Sequence, residues 1–577
     1  MGLTSALQIG RTALTASQAA IQVAGNNIAN AATPGYHRQV ATIIPVRGST
    51  ESENSFFGQG VRLQDINRQI DGSLQSRLRG AISDQQAATL DQSLLSQIES
   101  VLGELDTGDL SSQLSSFFNA FSELANNPNA TASRSVIVEQ GITLAAFTQR
   151  MRDSLVSLRD QVDSQLRTNV QGADDLLSRV AQLNEEITVS EAGRATNNSL
   201  RDQRDTLIDQ LSEMFDISTI EQPNGAIDVL IGSSPVVQGN VSRGLDVKFQ
   251  SNGATVDAIV EITDKSERIN PTTGKIGALL GQRQGTIQQT LNDLDSVASA
   301  VIFDVNNIHA SGQPATGLTN TVGTLAVPTV DQTLALNDPT NQTLSGLPFA
   351  PSNGSFVVVV RDAASGAEQR TTITVDLDGI DATGAPGFAN DTSLQDIQTA
   401  LNGVGNLTAS ITTAGKLQIN ASAGFEFHFE DDTSGSLATL GVNTFFEGKD
   451  ASDIAVRSEI VGDPQLVVAG ATAGANDAAL KIADLATTPS KLTGGISLTE
   501  AWRRTSDRIA VASNGASTRA SASGVVRSSL EAQQLAVSGV SVDEESINLI
   551  TNQRQFQAAA QFISSIDNMT QILLGLL

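Results

Sequence analysis

The sequence predicts an α+β multidomain protein: N- and C-terminal coiled-coil-like helices and a long-helix stalk, with β-rich outer domains inserted between them. Three observations predict it. Apolar residues recur at seven-residue spacing at both ends; residues 133–214 read as helix almost throughout; and short alternating runs punctuated by Gly, Pro and Asn fill 217–262 and 313–454. A chain of 577 residues is also long enough for several domains.

At the N-terminus, Leu7, Leu14, Ile21 and Ile28 repeat at seven, while Leu3, Gly10, Ser17, Ala24 and Ala31 form a second line. Small residues on that line let a partner backbone approach closely. The pattern stops at Asn30-Ala31-Ala32-Thr33-Pro34-Gly35. Pro34 lacks an N–H and biases Thr33 away from helix, and Gly35 tolerates positive φ. The expected helix, 3–30, is about 42 Å long at ~1.5 Å per residue. Asn26, Asn27, Asn30 and Thr33 have two readings. They end the helix by competing for backbone hydrogen bonds, or their amides set the register between subunits as a buried Asn does in a coiled coil.

Residues 36–63 read as extended or irregular. Helical periodicity returns over 66–105 and 110–124, the second ending at Asn126-Asn127-Pro128. The 133–214 stretch is polar, with Leu or Val every three to four residues, as in rods packed side by side. Pro223-Asn224-Gly225 marks a hairpin, and 256–262 alternates again. A helix is expected over 281–309. Strands follow at 356–360, 371–377, 407–412 and 416–419, with one helix near 394–401. Helix resumes at 498 and runs into the C-terminal end.

There, Val542, Leu549, Phe556, Ile563, Thr570 and Leu577 make one line, and Glu545, Asn552, Ala559, Ile566 and Leu573 its companion. Ile547, Ile550 and Phe562 lie off both, so the apolar surface is wider than one partner covers. Residues 1–45 hold Arg11 and Arg38 and no acid; residues 542–577 hold Asp543, Glu544, Glu545 and Asp567 against Arg554. A +2 end and a −3 end bias pairing, while apolar burial must drive it.

Net charge is −27, which opposes nucleic acid and anionic membrane surfaces as partners. Aromatics are 4%, so cores are expected from Leu, Ile, Val and Ala, and the absence of Cys excludes disulfides and thiolate metal sites. No segment is apolar for long enough to span a bilayer, and no basic stretch precedes a hydrophobic one at the N-terminus, so no membrane insertion and no cleaved signal are expected.

Residue patterns that carry chemistry are nearly absent from the sequence, and no catalytic, cofactor or metal residue is expected. His37, His309 and His428 are scattered; His309 reads as a helix-end partner. No G-x-S-x-G elbow occurs, and Gly274-Lys275 is not a P-loop. Asp376-Leu377-Asp378-Gly379-Ile380-Asp381 loosely resembles a calcium loop, but the order is wrong for an EF-hand, so it reads as solvated residues at a strand end. Phe425, Phe427 and Phe429 alternate with Glu426 and His428 as a half-buried strand.

Ile28-Ala29-Asn30 followed by Thr33-Pro34-Gly35-Tyr36, and Ser538-Gly539-Val540-Ser541-Val542-Asp543-Glu544-Glu545 with Ile550 and Gln553, resemble the terminal signatures of flagellar rod, hook and hook-associated axial proteins. Three internal stretches narrow the resemblance to the first hook-associated, hook–filament junction branch. They are Asp202-Gln203-Arg204-Asp205-Thr206-Leu207, Val305-Asn306-Asn307-Ile308-His309-Ala310-Ser311-Gly312 and Leu440-Gly441-Val442-Asn443-Thr444-Phe445-Phe446-Glu447-Gly448. The resemblance implies a non-enzymatic subunit of a ring between hook and filament. Its partners would be copies of itself, the hook protein, the second junction protein and an export chaperone at the C-terminal helix. Export would be through the flagellar type III channel. It also implies layers: 1–45 and 536–577 innermost, 46–312 and 455–535 as stalk with a β insert at about 216–270, and 313–454 outermost. Another axial protein, or an adhesive outer domain, is the alternative. The expected assembly interface is Leu7, Leu14, Ile21, Asn27, Ile28, Asn30, Pro34, Gly35, Leu549, Phe556, Ile563, Ile566 and Leu573.

Overall fold

The first helix runs Leu3–Ala29 and ends one residue before Asn30, where Ala31-Ala32-Thr33-Pro34-Gly35 turns the chain with Gly35 at φ +75°. The computed structural model describes all residues except 1, 47–48, 53–54, 104–107, 194, 254 and 576–577. The expected helical position 105 and the last heptad position, Leu577, therefore lie outside the described residues. The described chain divides into two compact units, one of Met1–Leu94, Val162–Gln284 and Asn514–Leu577, the other of Leu95–Gln161 and Gly285–Ser513. The long helices Thr131–Glu191 and Leu498–Ser538 each contribute to both.

In the first unit, strand Gln39–Pro45 pairs antiparallel with Val61–Arg68 through a bulge at Thr42/Ile43. The helix expected to begin at 66 begins instead at Gly72, because Ile66, Asn67 and Arg68 are held in the ladder opposite Ala41, Val40 and Gln39. Cross-strand pairing outweighs local helix propensity there. Helix Asn198–Met214 leads into a four-stranded antiparallel meander and then a three-stranded sheet, spanning Ile217–Glu221 to Glu267–Ile269. Gly225, at φ +86°, makes the first hairpin turn.

Helix returns at Gly274–Gly281, earlier than expected, and passes through a π-helical turn, Gln282–Ile287, before Gln288–Ala310. The widened turn aims two consecutive side chains at one strand: Arg283 donates to Val256 O and Gln284 to Ala258 O, while Arg283 also pairs with Asp163. π-turns commonly mark such local demands.

In the second unit, strands Gly354–Asp362, Glu368–Val375 and Phe425–Glu430 form one antiparallel sheet, with Gly354–Asp362 central. Asn320–Val322, Leu407–Ile411 and Leu417–Ala421 form another. Helix Leu394–Asn402 starts with a reciprocal capping box between Ser393 and Asp396. Leu, Ile and Val dominate the core here, as composition suggests, but the largest fully buried side chains of this unit include Trp502 and eight phenylalanines. Phe117 packs on Phe118, Phe121, Phe445 and Phe446 at centroid distances of 5.2–5.6 Å. Few aromatics were available, and the fold concentrates them. Strand Phe425–Glu430 is more deeply covered than a half-buried strand, because His428 is buried with Phe427 and Phe429.

Two of the internal sequence stretches meet in this unit. Asn306 accepts from Phe445 N (3.0 Å) and Phe446 N (2.8 Å) and donates to Phe446 O (2.9 Å). His309 Nδ1 donates to Asn443 O at 2.8 Å, and its Nε2 accepts from Val468 N at 3.1 Å. Asn443, at φ +53°, turns its amide back onto the carbonyls of Ala310 and Gly312, 3.2 Å from each. His309 is thus a helix-end residue whose ring bridges two other segments. Burial keeps it neutral, lowering its pKa to about 4.

Candidate assembly interface

The last helix, Val542–Gly575, packs against the first. In both, the buried line is the companion one: Gly10, Ser17 and Ala24, with Asn27 beside them, on one side, and Glu545, Ala559 and Ile566 on the other. Gly10 is essential to this approach, since a Cβ there would lie 2.7 Å from Ile563 Cγ1 and 3.1 Å from Phe562 Cδ1. The larger line flanks the contact. Leu14, Ile21, Ile28, Leu549, Phe556 and Ile563 are half-buried, Leu7 is exposed, and Leu573, on the companion line, is exposed as well.

Glu545 is a carboxylate on an apolar seam, and burying it requires partners. It has three. Asn27 Nδ2 donates to Oε2 at 3.0 Å, Arg38 Nε donates to Oε1 at 2.9 Å, and Arg38 NH2 stands 2.8 Å from Oε1. Arg38 also pairs with Glu544 at 3.3 Å, giving the complementary terminal charges a specific contact. Asn27 is saturated: its amide donates to Gln39 O at 2.9 Å, and its Oδ1 accepts from Gln39 N at 3.0 Å and from the Tyr36 hydroxyl at 2.8 Å. Burial, then the nearby charges of Asp202 and Glu545, push Tyr36 up to about 12, so it remains a neutral donor. Arg38 N donates to Ser538 O at 3.0 Å, satisfying a carbonyl at the end of helix Leu498–Ser538 before Gly539-Val540-Ser541 breaks the chain into the last helix.

Asn26, Asn30 and Thr33 behave differently from Asn27. Asn30 donates to Asn26 O and Oδ1 at 2.9 Å, and Thr33 donates to Asn30 Oδ1 at 3.3 Å, all exposed and local. Asn27 alone of the four reaches the partner helix, and the helix it reaches belongs to the same chain. Pro34 and Gly35 are exposed, with Gly35 set against the Thr206 side chain so that a Cβ would collide with it.

Behind this knot lies the Asp202-Gln203-Arg204-Asp205 stretch. His37 Nδ1 stands 2.8 Å from Asp202 Oδ1, and Arg68 NH1 bridges Asp202 (2.8 Å) and Asp205 (2.7 Å). Arg79 adds contacts to Asp205 (3.6 Å) and Asp209 (2.7 Å). His37, Asp202 and Asp205 have the types and proximity of metal ligands, but guanidinium groups already neutralise both carboxylates, so the cluster is an ion-pair network. It clamps the turn after Pro34-Gly35 onto helix Asn198–Met214. The pairing of Arg38 with Glu545 follows the complementary charges of the two ends, whereas no sequence pattern pointed to the pairing of His37 and Arg68 with Asp202.

Alongside the seam the C-terminal helix shows bare apolar side chains: Ile547, Ile550, Phe562, Met569, Ile572, Leu573 and Leu574 are 45–67% exposed. The two ends thus zip to one another without closing their apolar surface.

Residues 95–324 match the family described as "Flagellar hook-associated protein FlgK helical domain". Residues 531–576 match "Flagellar basal body rod FlgEFG protein C-terminal", and residues 7–37 match "Flagella basal body rod protein". The chain is 31% identical over 351 residues to flagellar hook-associated protein 1 of Bacillus subtilis, covering 54% of this chain and 68% of that one. To the protein of the same name in Salmonella typhimurium it is 25% identical over 594 residues, covering both completely. The flagellar hook junction protein structure from Burkholderia pseudomallei aligns with 80% of this chain and 100% of its own at 16% identity, TM-score 0.49. The chain belongs to the flagellar hook-associated protein 1 family.

Proposed function

We propose that this chain is a structural, non-enzymatic subunit of the bacterial flagellum. It forms the junction between hook and filament by polymerising through its paired terminal helices. The observation that carries this reading is the uncovered apolar face of the C-terminal helix beside its own seam. Contiguous exposed apolar surface invites association, and here sister subunits cover it. Residues 1–45 and 536–577 form the inner layer, 46–312 and 455–535 the stalk, and 313–454 the outermost part. The expected interface residues divide accordingly. Asn27, Ile563 and Ile566 hold the two ends of one subunit together, while Leu7, Leu573 and the off-line residues of the last helix meet neighbours.

The hook protein and the second junction protein bind the two faces of the ring. The subunit leaves the cell through the flagellar export channel, and a chaperone covers the C-terminal helix beforehand, because that helix is otherwise adhesive. Isolated amphipathic helices are marginal in water, so both ends order fully on assembly. Complete protease resistance of both ends in dilute monomer would rule this ordering out. Deleting residues 545–577 tests the main reading: the outer parts should still fold, but hooks should carry no filaments. Normal filaments from that truncation would overturn it.

A further inference from the structure

Three backbone segments of the second unit converge at the end of strand Glu368–Val375. Thr392 N donates to Asp376 O at 2.7 Å, Asp376 N donates to Thr392 Oγ1 at 2.8 Å, and Leu336 N donates to Thr392 O at 2.9 Å. The convergence brings one oxygen each of Asp376, Asp378 and Asp391 within 4.8 Å of one another. The alternating acids 376, 378 and 381 do not act together. Asp381 turns onto its own loop, accepting from Thr383 and Ala385, and Asp391 takes its place.

Asp391 is only 4% exposed. Its Oδ2 accepts from Asn337 Nδ2 at 2.6 Å and Gly379 N at 3.0 Å, whereas its Oδ1 is buried with no hydrogen-bond partner. The side-chain oxygen of Asn337, on the same amide that touches Asp391, is likewise buried and unpartnered. A desolvated carboxylate oxygen without a donor is costly, and two further carboxylates beside it add repulsion. Unlike His37, Asp202 and Asp205, this cluster has no arginine or lysine ion pair among the described residues.

The geometry points to a calcium site built from the carboxylates of Asp376, Asp378 and Asp391, with water completing the shell. Oxygens facing each other across a calcium ion are about 5 Å apart, given bonds of ~2.3–2.6 Å, so one ion reaches all three carboxylates. Magnesium, at ~2.1 Å, would need a tighter octahedron. Held there, the ion ties the strand end and the start of helix Leu394–Asn402 together. The site belongs to the second unit and does not depend on the assembly reading.

The test is calorimetric titration of the full chain with calcium chloride, below the concentration at which it assembles. Saturable one-to-one heat is expected, with a Kd on the order of 10⁻⁴–10⁻³ M as in exposed extracellular modules. Asp378→Asn, an exposed isosteric change that leaves the fold intact, should weaken binding about tenfold or more, and magnesium chloride should bind more weakly than calcium in the parent. Absence of saturable heat to about 10 mM calcium, or titration of Asp378→Asn and Asp391→Asn indistinguishable from the parent, would overturn the assignment.

Discussion

Asn27 donates its amide to Oε2 of Glu545 at 3.0 Å, joining positions 518 residues apart in the chain. The bond closes the subunit on itself at the point where the first helix ends and the last begins. It also explains why a charged residue sits on an otherwise apolar seam: Glu545 is the acceptor around which Asn27 and Arg38 are arranged. Replacing it by Ala leaves the half-buried Arg38 guanidinium with Glu544 alone and one of the two Asn27 amide hydrogens without its acceptor. The expected loss is about 2–3 kcal/mol, read as faster hydrogen exchange over residues 3–29. Glu545→Gln keeps an acceptor for Asn27 and should lose only about 1 kcal/mol.

Gly10 allows the two helices to touch. In an isolated helix Gly→Ala gains about 1 kcal/mol, yet Gly10→Ala is expected to weaken the pairing, because its Cβ would press on Ile563 at 2.7 Å. Ile563→Ala in the same chain should relieve the clash. A double-mutant cycle in urea unfolding then shows coupling above about 0.5 kcal/mol; additive effects would mean that the helices do not meet there.

Asp202 organises the turn behind the seam through His37 and Arg68. Asp202→Asn removes the charge that both face, and an expected cost of about 2–3 kcal/mol follows from leaving Arg68 with Asp205 alone. The effect should appear first as proteolytic cleavage within residues 31–38.

His309 gives the second unit an acid-sensitive point. Folded, it holds a pKa of about 4 because it is fully buried, against 6.5 as the ordinary value. Between those values the unfolded chain binds a proton that the folded chain refuses. Stability is therefore complete above about pH 6.5 and declines as pH falls toward 4, by up to about 3 kcal/mol. His309→Gln, compared with the parent by thermal unfolding across pH 4–7, should be less stable at neutral pH and flatter across this window.

Much of this arrangement was legible in the sequence. The heptad lines, the stop at Pro34-Gly35 and the hairpin at Gly225 follow from short-range rules that local chemistry enforces. Which line would be buried was not legible by size alone. Leu7, Leu14 and Ile21 look like the seam, yet close backbone approach favours Gly10, Ser17 and Ala24. The strand at Ile66–Arg68 was hidden because its partner lies across a connection that carries no pattern of its own. The meeting of Asn306 with Phe445 and Phe446, or of Asp391 with Asp376, depends on contacts between distant segments, and no periodicity encodes those.

The central claim is that apolar side chains left bare on the last helix are covered by other subunits. Ile572 and Leu574, 65% and 67% exposed, lie away from the intramolecular seam. The most direct measurement is filament growth in cells carrying Ile572→Asp with Leu574→Asp, alongside thermal unfolding of the purified subunit. Stability unchanged within about 0.5 kcal/mol, with hooks that carry no filaments, is the predicted result. Filaments of normal number and length from that double variant would contradict it.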